Sequence, residues 1–149
     1  MKRSNNPNKF FSQAEASAIE QAIRQAESRT SAEIKLFVSR HCWTDIREKA
    51  ATVFKKLGLN KTRQRNGVLI LLILTNREFI IYGDQGIHEK VGQSFWDDVR
   101  TTMLSYIKKD SFGEGLCEGI KLAGEKLAQY FPYKSNNINE ISNEVEYEK

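Results

Sequence analysis

The chain has 149 residues, of which 40% are hydrophobic and 28% charged, and its formal net charge is +4. A chain of about 150 residues buries roughly 70% of its unfolded surface, so one domain with a substantial core is expected. No apolar run approaches the roughly 18 residues that a membrane span needs, and the composition is that of a globular protein without a transmembrane segment.

The first residues, Met1 to Phe11, are polar and lack the apolar core of a secretory signal, so a cytoplasmic location and a flexible tail over residues 1–11 are expected. Cys42 and Cys117 stand at unrelated spacing with no CxxC or Cys/His cluster, which predicts neither a disulfide framework nor a zinc site. From Pro132 onward Lys134 and Lys149 face Glu140, Glu144, Glu146 and Glu148, a net −2 that leaves +6 on residues 1–131. This moderate basic charge comes without an RNA-binding or helix-turn-helix signature, so it reads as a solvated surface and no specific nucleic-acid partner is expected.

In chain order, Ser12-Gln-Ala-Glu15 is a capping box, and Ala16, Ile19, Ile23 and Ala26 recur at helical spacing, predicting a helix over about 12–28. Glu33 to Ser39 is rich in β-forming residues and reads as a strand. Asp45-Ile-Arg-Glu48 is a second possible capping box, opening a helix that carries Ile46, Ala50, Val53, Phe54 and Leu57 and stops at Gly58. A polar loop with Lys61, Arg63 and Arg65 then leads into two apolar runs, Val68 to Thr75 and Phe79 to Tyr82, separated by a two-residue turn at Asn76-Arg77. Strand, helix, strand implies a parallel pair with a crossover, to which the hairpin adds an antiparallel strand. The first run is apolar on both faces, as a central strand covered by helices on each side would be.

A short helical piece at Ile87 to Val91 follows, then a helix from near Ser94 with Phe95, Trp96, Val99, Met103 and Ile107. Asp110-Ser-Phe-Gly113 reads as a turn, and a last helix from about Gly115 carries Leu116, Ile120, Ala123, Leu127 and Phe131 until Pro132 ends it. Residues 12–132 are the expected domain. Residues 133–149 are rich in Asn, Glu and Ser and read as a disordered acidic tail, although Ile138, Ile141, Val145 and Tyr147, at near-helical spacing, would let it dock on the basic domain.

Catalytic motifs are conspicuous by exclusion: the chain has no P-loop, GxGxxG after a strand, GxSxG elbow, HExxH or EF-hand loop. A Cys42/His41 or Cys117/His88 nucleophile pair is disfavoured, because adjacent strand-end residues point to opposite sides and lone thiols are common in cores. Oxygen ligands remain. Asn66 and Asp84 flank the hairpin at one end, Glu89 follows one helical turn later, and Glu33 starts near that end if the first two strands are parallel. Such loops suit a hard cation, which takes carboxylate, amide and carbonyl oxygens. Each residue also has a plain structural reading: Asp84 as a helix cap, Asn66 as a turn residue before Gly67, Glu89 as a solvated helix residue. At the opposite end His41, Asp45, Asn76 and Arg77 form a second candidate group, where open α/β sheets commonly bind ligands, with Asp45 also readable as a cap.

The order of Ser31-Ala-Glu-Ile34, Leu57-Gly-Leu59, Asn66-Gly-Val-Leu-Ile70, Asn76-Arg77, Gly83 to Ile87 and Phe112-Gly-Glu-Gly115 resembles the TPM domain family. Gly83-Asp84-Gln85-Gly86-Ile87, Phe95-Trp96 and Phe131-Pro132 resemble its short bacterial-type members. The resemblance implies a three-layer α/β/α sandwich with a mixed sheet, a β-α-β unit followed by a β-hairpin, and helices on both faces. It also implies a divalent-cation site, calcium more than magnesium, and a phosphatase activity. Asn66-Gly67, Arg77 and Gly86 fit the family pattern, whereas Gln93 stands where an acidic residue is common. The candidate metal ligands are therefore Asp84, Asn66, Glu89, Glu33 and Asp45. Two functions are expected from these readings: a cation-binding interaction module, or a metal-dependent phosphatase-like hydrolase of phosphomonoesters in which Arg63, Arg65 or Arg77 neutralises charge. A monomer with a metal ion and a protein or phosphorylated ligand as partners is the accompanying expectation.

Overall fold

The computed structural model describes residues 3–133 and 141–148, with the side chain of Gln93 excepted. Helix α1 spans Pro7–Phe10 and α2 spans Gln13–Glu27. The capping box that opens α2 is reciprocal: Glu15 N–H donates to Ser12 Oγ at 3.1 Å and Ser12 N–H to Glu15 Oε1 at 3.0 Å. Strand β1 is Glu33–Ser39, and α3 is Ile46–Lys56, capped by Asp45, which accepts from Arg47 N–H at 2.9 Å. Gly58 follows α3 at φ 78°, the left-handed conformation that closes a helix most cheaply with glycine.

Strands β2, Gly67–Ile73, and β3, Glu78–Gly83, form the hairpin. The parallel register runs from Glu33 opposite Gly67 to Ser39 opposite Ile73, and the antiparallel one from Val68 opposite Gly83 to Ile73 opposite Glu78. The hairpin loop is therefore residues 74–77, not the two-residue turn read from sequence. Leu74 and Thr75 stay tied to the neighbouring strand end, their N–H groups donating to Ser39 O at 2.9 Å and Arg40 O at 3.0 Å, so reversal is deferred to Arg77 at φ 51°.

Helices α4, Gln85–Val91, α5, Asp97–Ile107, and α6, Phe112–Tyr130, complete the helical set, with a 3-10 turn at Gln93–Trp96 before α5. All seven residues of β2 are buried. Alternation sends Val68, Ile70 and Leu72 into a core with Ile19, Ile23, Val99, Met103, Leu116 and Ile120, and sends Leu69, Leu71 and Ile73 against Ala50, Val53 and Phe54. One face is thus covered by α2, α5 and α6 and the other by α3, which makes the predicted α/β/α sandwich with a mixed sheet. No helix among the described residues is long and apolar enough to cross a membrane.

Both ends of the chain do more than the sequence suggests. Within the expected N-terminal tail, Phe10 and Phe11 are 2% and 6% exposed, and Phe10 meets Phe112 edge-on with centroids 5.0 Å apart. Two adjacent aromatic rings carry enough apolar area to anchor a segment that is otherwise polar. In the expected acidic tail, residues 134–140, including Ile138 and Glu140, lie outside the described residues. Beyond them β4, Glu146–Tyr147, pairs in parallel with β1, and the sheet order is β3-β2-β1-β4. The tail residues at 145–148 dock as a strand and not as a helix, because β1 offers an open edge of backbone donors and acceptors.

Candidate functional site

The start of β1, the start of β2 and the end of β3 meet at one end of the sheet, where Asp84 N–H donates to Gly67 O at 2.9 Å. This brings Asn66, Asp84 and Glu33 together as expected, all buried, with Glu89 exposed nearby on α4. Arg65 forks onto Asp84: Nε lies 2.8 Å from Oδ2 and Nη2 3.0 Å from Oδ1. Oδ1 also accepts from Gln85 N–H at 2.7 Å and so caps α4. The hydrogen bonds that Arg65 donates to Asp84, and then the charge of that carboxylate, push Arg65 further above its ordinary range. Gly86 N–H in turn donates to Arg65 O at 2.9 Å, so the first turn of α4 rests on the Arg65 peptide.

Asn66 is held from three directions. Its Nδ2 donates to Ser31 Oγ at 3.2 Å, its N–H donates to Thr62 Oγ1 at 3.2 Å, and its Oδ1 accepts from that hydroxyl at 3.4 Å. Glu89 accepts from Gln85 Nε2 at 3.1 Å. Among the described residues no group of three or more His, Cys, Asp or Glu side chains is placed to hold a metal ion. The oxygens of Asp84 are already engaged by Arg65 and Gln85, so these residues do not form a ready-made chelate. A cation entering here would compete with the Arg65 side chain, which is 48% exposed.

Asp45 belongs elsewhere. It caps α3 in the loop beyond Ser39, the end of β1 opposite to Glu33, and β1 itself is about 20 Å long at roughly 3.3 Å per strand residue. In the second candidate group, at the opposite end of the sheet, His41, Asn76 and Arg77 engage separate partners. His41 Nδ1 is 2.9 Å from Thr75 Oγ1, and Asn76 Nδ2 donates to Glu78 Oε2 at 2.8 Å. Arg77 donates to Leu74 O at 2.7 Å and Asn5 Oδ1 at 3.0 Å, with its guanidinium 5.0 Å from the centroid of Phe10. Neither thiol is poised as a nucleophile: Cys42 Sγ donates to Thr44 O at 2.9 Å, and burial, then nearby glutamates, push the Cys117 thiol up.

Glu27 is a residue of this end that the sequence reading passes over. It follows Ile19 and Ile23 at four-residue steps, which places it on the buried side of α2, and that spacing is the signal available for it. Its Oε2 accepts from Ile34 N–H at 2.8 Å. Burial raises the carboxyl from its ordinary 4.5 to about 8, helped by the charge of Glu33 and opposed by the Ile34 hydrogen bond and Lys35. Between pH 4.5 and 8 the folded chain therefore holds a proton that the unfolded chain has released, and stability falls as pH rises through that window. Glu27→Gln is expected to flatten this slope and to stabilise the protein by about 2 kcal/mol at pH 8, discounted from roughly 1.4 kcal/mol per pKa unit for relaxation around the site. Urea unfolding of both proteins at pH 5 and pH 8 checks it; parallel pH profiles reject it.

The fold and this polar end together define a three-layer α/β/α domain with a mixed four-stranded sheet. A family model for the TPM domain matches residues 4–126, and the chain belongs to that family. Among solved structures it is similar to protein BA42 of the psychrophilic bacterium Bizionia argentinensis, with 36% identity, a TM-score of 0.91, and 97% of this chain and 100% of that one covered. It shares its fold with the N-terminal domain of a protein from P. gingivalis at 15% identity and a TM-score of 0.65, covering 85% of this chain and 83% of that one. No curated protein matches the chain.

Proposed function

We propose that this chain is a TPM-type binding module whose responsive element is the Arg65–Asp84 pair. The observation that carries the reading is a carboxylate with 5% exposure whose two oxygens are held by a guanidinium half in solvent. Such a pair can open without unfolding the strand ends on which it sits, because Asp84 stays fixed by its backbone bond to Gly67 and by α4. With Arg65 released, Asp84, Asn66, Glu33 and Glu89 supply the hard oxygen donors a divalent cation takes. Calcium is preferred to magnesium, since it tolerates irregular sets of 6–8 oxygens where magnesium demands a near-octahedral shell. The released Arg65 would then face a phosphorylated ligand or an acidic protein partner. A cytoplasmic monomer completes the reading.

Calcium titration followed by backbone amide shifts tests it. Shifts are expected at Arg65, Gly67, Asp84 and Gln85, and Arg65→Ala should bind calcium about tenfold more tightly, the effect of removing one competing positive charge at close range. Shifts confined to exposed acids elsewhere would reject the site. The alternative is a phosphatase-like hydrolase of phosphomonoesters, favoured by the guanidinium of Arg65 beside a buried carboxylate. Turnover of a generic phosphomonoester that disappears in Asp84→Ala and Asn66→Ala would favour that alternative; turnover that survives both would reject this end as its active site.

A further inference from the structure

The outer edge of β1 carries a second set of recognition groups, far from the Arg65–Asp84 pair in chemistry and use. Lys35 is 1% exposed, and a buried ammonium is costly unless it is paired and hydrogen-bonded. Its acceptor and its ion-pair carboxylate both come from the C-terminal segment: Ser142 O at 3.0 Å and Glu146 Oε1 at 3.5 Å. Two residues on, Glu148 Oε2 meets Lys49 Nζ at 2.9 Å, while Oε1 accepts from Ser39 Oγ at 2.7 Å and Arg40 N–H at 3.3 Å. The backbone is read as well, through Glu148 N–H to Val38 O at 2.9 Å and Val145 N–H to Glu20 Oε2 at 3.1 Å. Just before the glutamates Val145 is buried, and between them Tyr147 packs against the core.

These are the parts of strand-addition recognition: a hydrogen-bonding edge for affinity and alternating side-chain sites for specificity. The cis occupant uses them sparingly. Its ladder covers two residues of a seven-residue strand, and the Glu146 and Glu148 side chains are 45% and 33% exposed. Short edge strands and half-exposed ion pairs hold weakly, so the segment can be exchanged.

We propose that the β1 edge is an acceptor site for an extended acidic peptide of a partner protein, with two glutamates flanking an aromatic residue, and that residues 145–148 occupy it in cis. A second copy of this chain is the poorer occupant, because residues 1–131 carry +6 and two such bodies repel.

The test titrates a fluorescent peptide with the sequence of residues 141–148 into the full-length protein. The tethered segment competes at an effective concentration in the millimolar range, so full-length E146K/E148K is expected to bind the peptide about tenfold or more tightly than the wild type. Adding Lys49→Glu, or replacing both glutamates of the peptide by glutamine, is expected to abolish that gain. Should the double variant fail to fold, the readout moves to the wild type, where saturating peptide is expected to shift the protein's own Val145, Tyr147 and Glu148 amides as the tethered segment leaves the edge. Equal affinity of a folded variant and the wild type, or unshifted amides, overturns the proposal. A concentration-dependent dimer with exchanged C-terminal segments assigns the edge to a second copy and overturns it too.

Discussion

Ile70→Ala and Leu71→Ala are each expected to destabilise the domain by about 3 kcal/mol, within the roughly 2–5 kcal/mol that large-to-small core substitutions cost. The two residues are neighbours on β2 and point to opposite faces, yet they are 1% and 0% exposed. Ile70 fills the core under α2 and α6, and Leu71 the one under α3. Each truncation loses the transfer free energy of three aliphatic carbons and leaves a cavity that the stiff strand cannot close. In a sheet with one wet face, one of two adjacent truncations would be nearly silent. Urea unfolding that gives a large loss for one variant and under about 1 kcal/mol for the other would reject the two-sided burial of β2.

Gly86→Ala is the second large effect, expected at about 2–3 kcal/mol, the upper part of the range for forced overpacking. A Cβ at this position would press on Gln64 O and lie 2.6 Å from Arg65 O. Both are backbone carbonyls, which cannot swing aside as a side-chain tip can. Relief requires α4 to lift from the loop, which breaks the Gly86 N–H bond to Arg65 O and draws Arg65 off Asp84. Gly83→Ala is the matched control: its Cβ would meet Ile87 side-chain atoms at 3.4 Å, an ordinary contact, so a change under about 1 kcal/mol is expected. A lower urea midpoint for Gly86→Ala with shifted Arg65 and Asp84 amides checks the account; a midpoint equal to that of Gly83→Ala rejects it.

Glu148 also confers a dependence on acid. Burial alone would raise the Glu148 carboxyl, but hydrogen bonds from Lys49, Ser39 and the Arg40 backbone, with the charge of Lys49, hold it below its ordinary value. A depressed carboxyl contributes stability above its unfolded pKa and loses it as pH falls through the folded one, so the docking of β4 weakens in acid.

The candidate site was legible in part. Asn66, Asp84 and Glu33 were assigned to one end from strand direction alone, since a parallel pair plus a hairpin leaves little choice of where strand ends meet. What Asp84 does there was not legible. Whether a carboxylate binds a cation, caps α4 or pairs with Arg65 depends on where a long flexible arginine turns, and Arg65 is positioned by a left-handed backbone at φ 51° that local residue type does not announce. In the grouping of His41, Asp45, Asn76 and Arg77 strand ends set only a coarse proximity, and the sequence does not show that partners such as Thr75, Glu78 and Phe10 engage the side chains of His41, Asn76 and Arg77.

By itself the amino-acid sequence determined helices α2 to α6, strands β1 to β3 and a central strand covered on both faces, because periodicity, caps and a doubly apolar strand are local records of which faces are buried. Only the tertiary structure decided the fate of the two ends and of the buried charges. Phe10, Val145 and Glu148 are few apolar or acidic residues in polar surroundings, and their docking is worth anything only against partners distant in the chain: Phe112, the core beside β1, and Lys49. Contacts of that kind leave no period to read, which is why Lys35 looks like a surface lysine in the sequence and is a fully buried one in the fold.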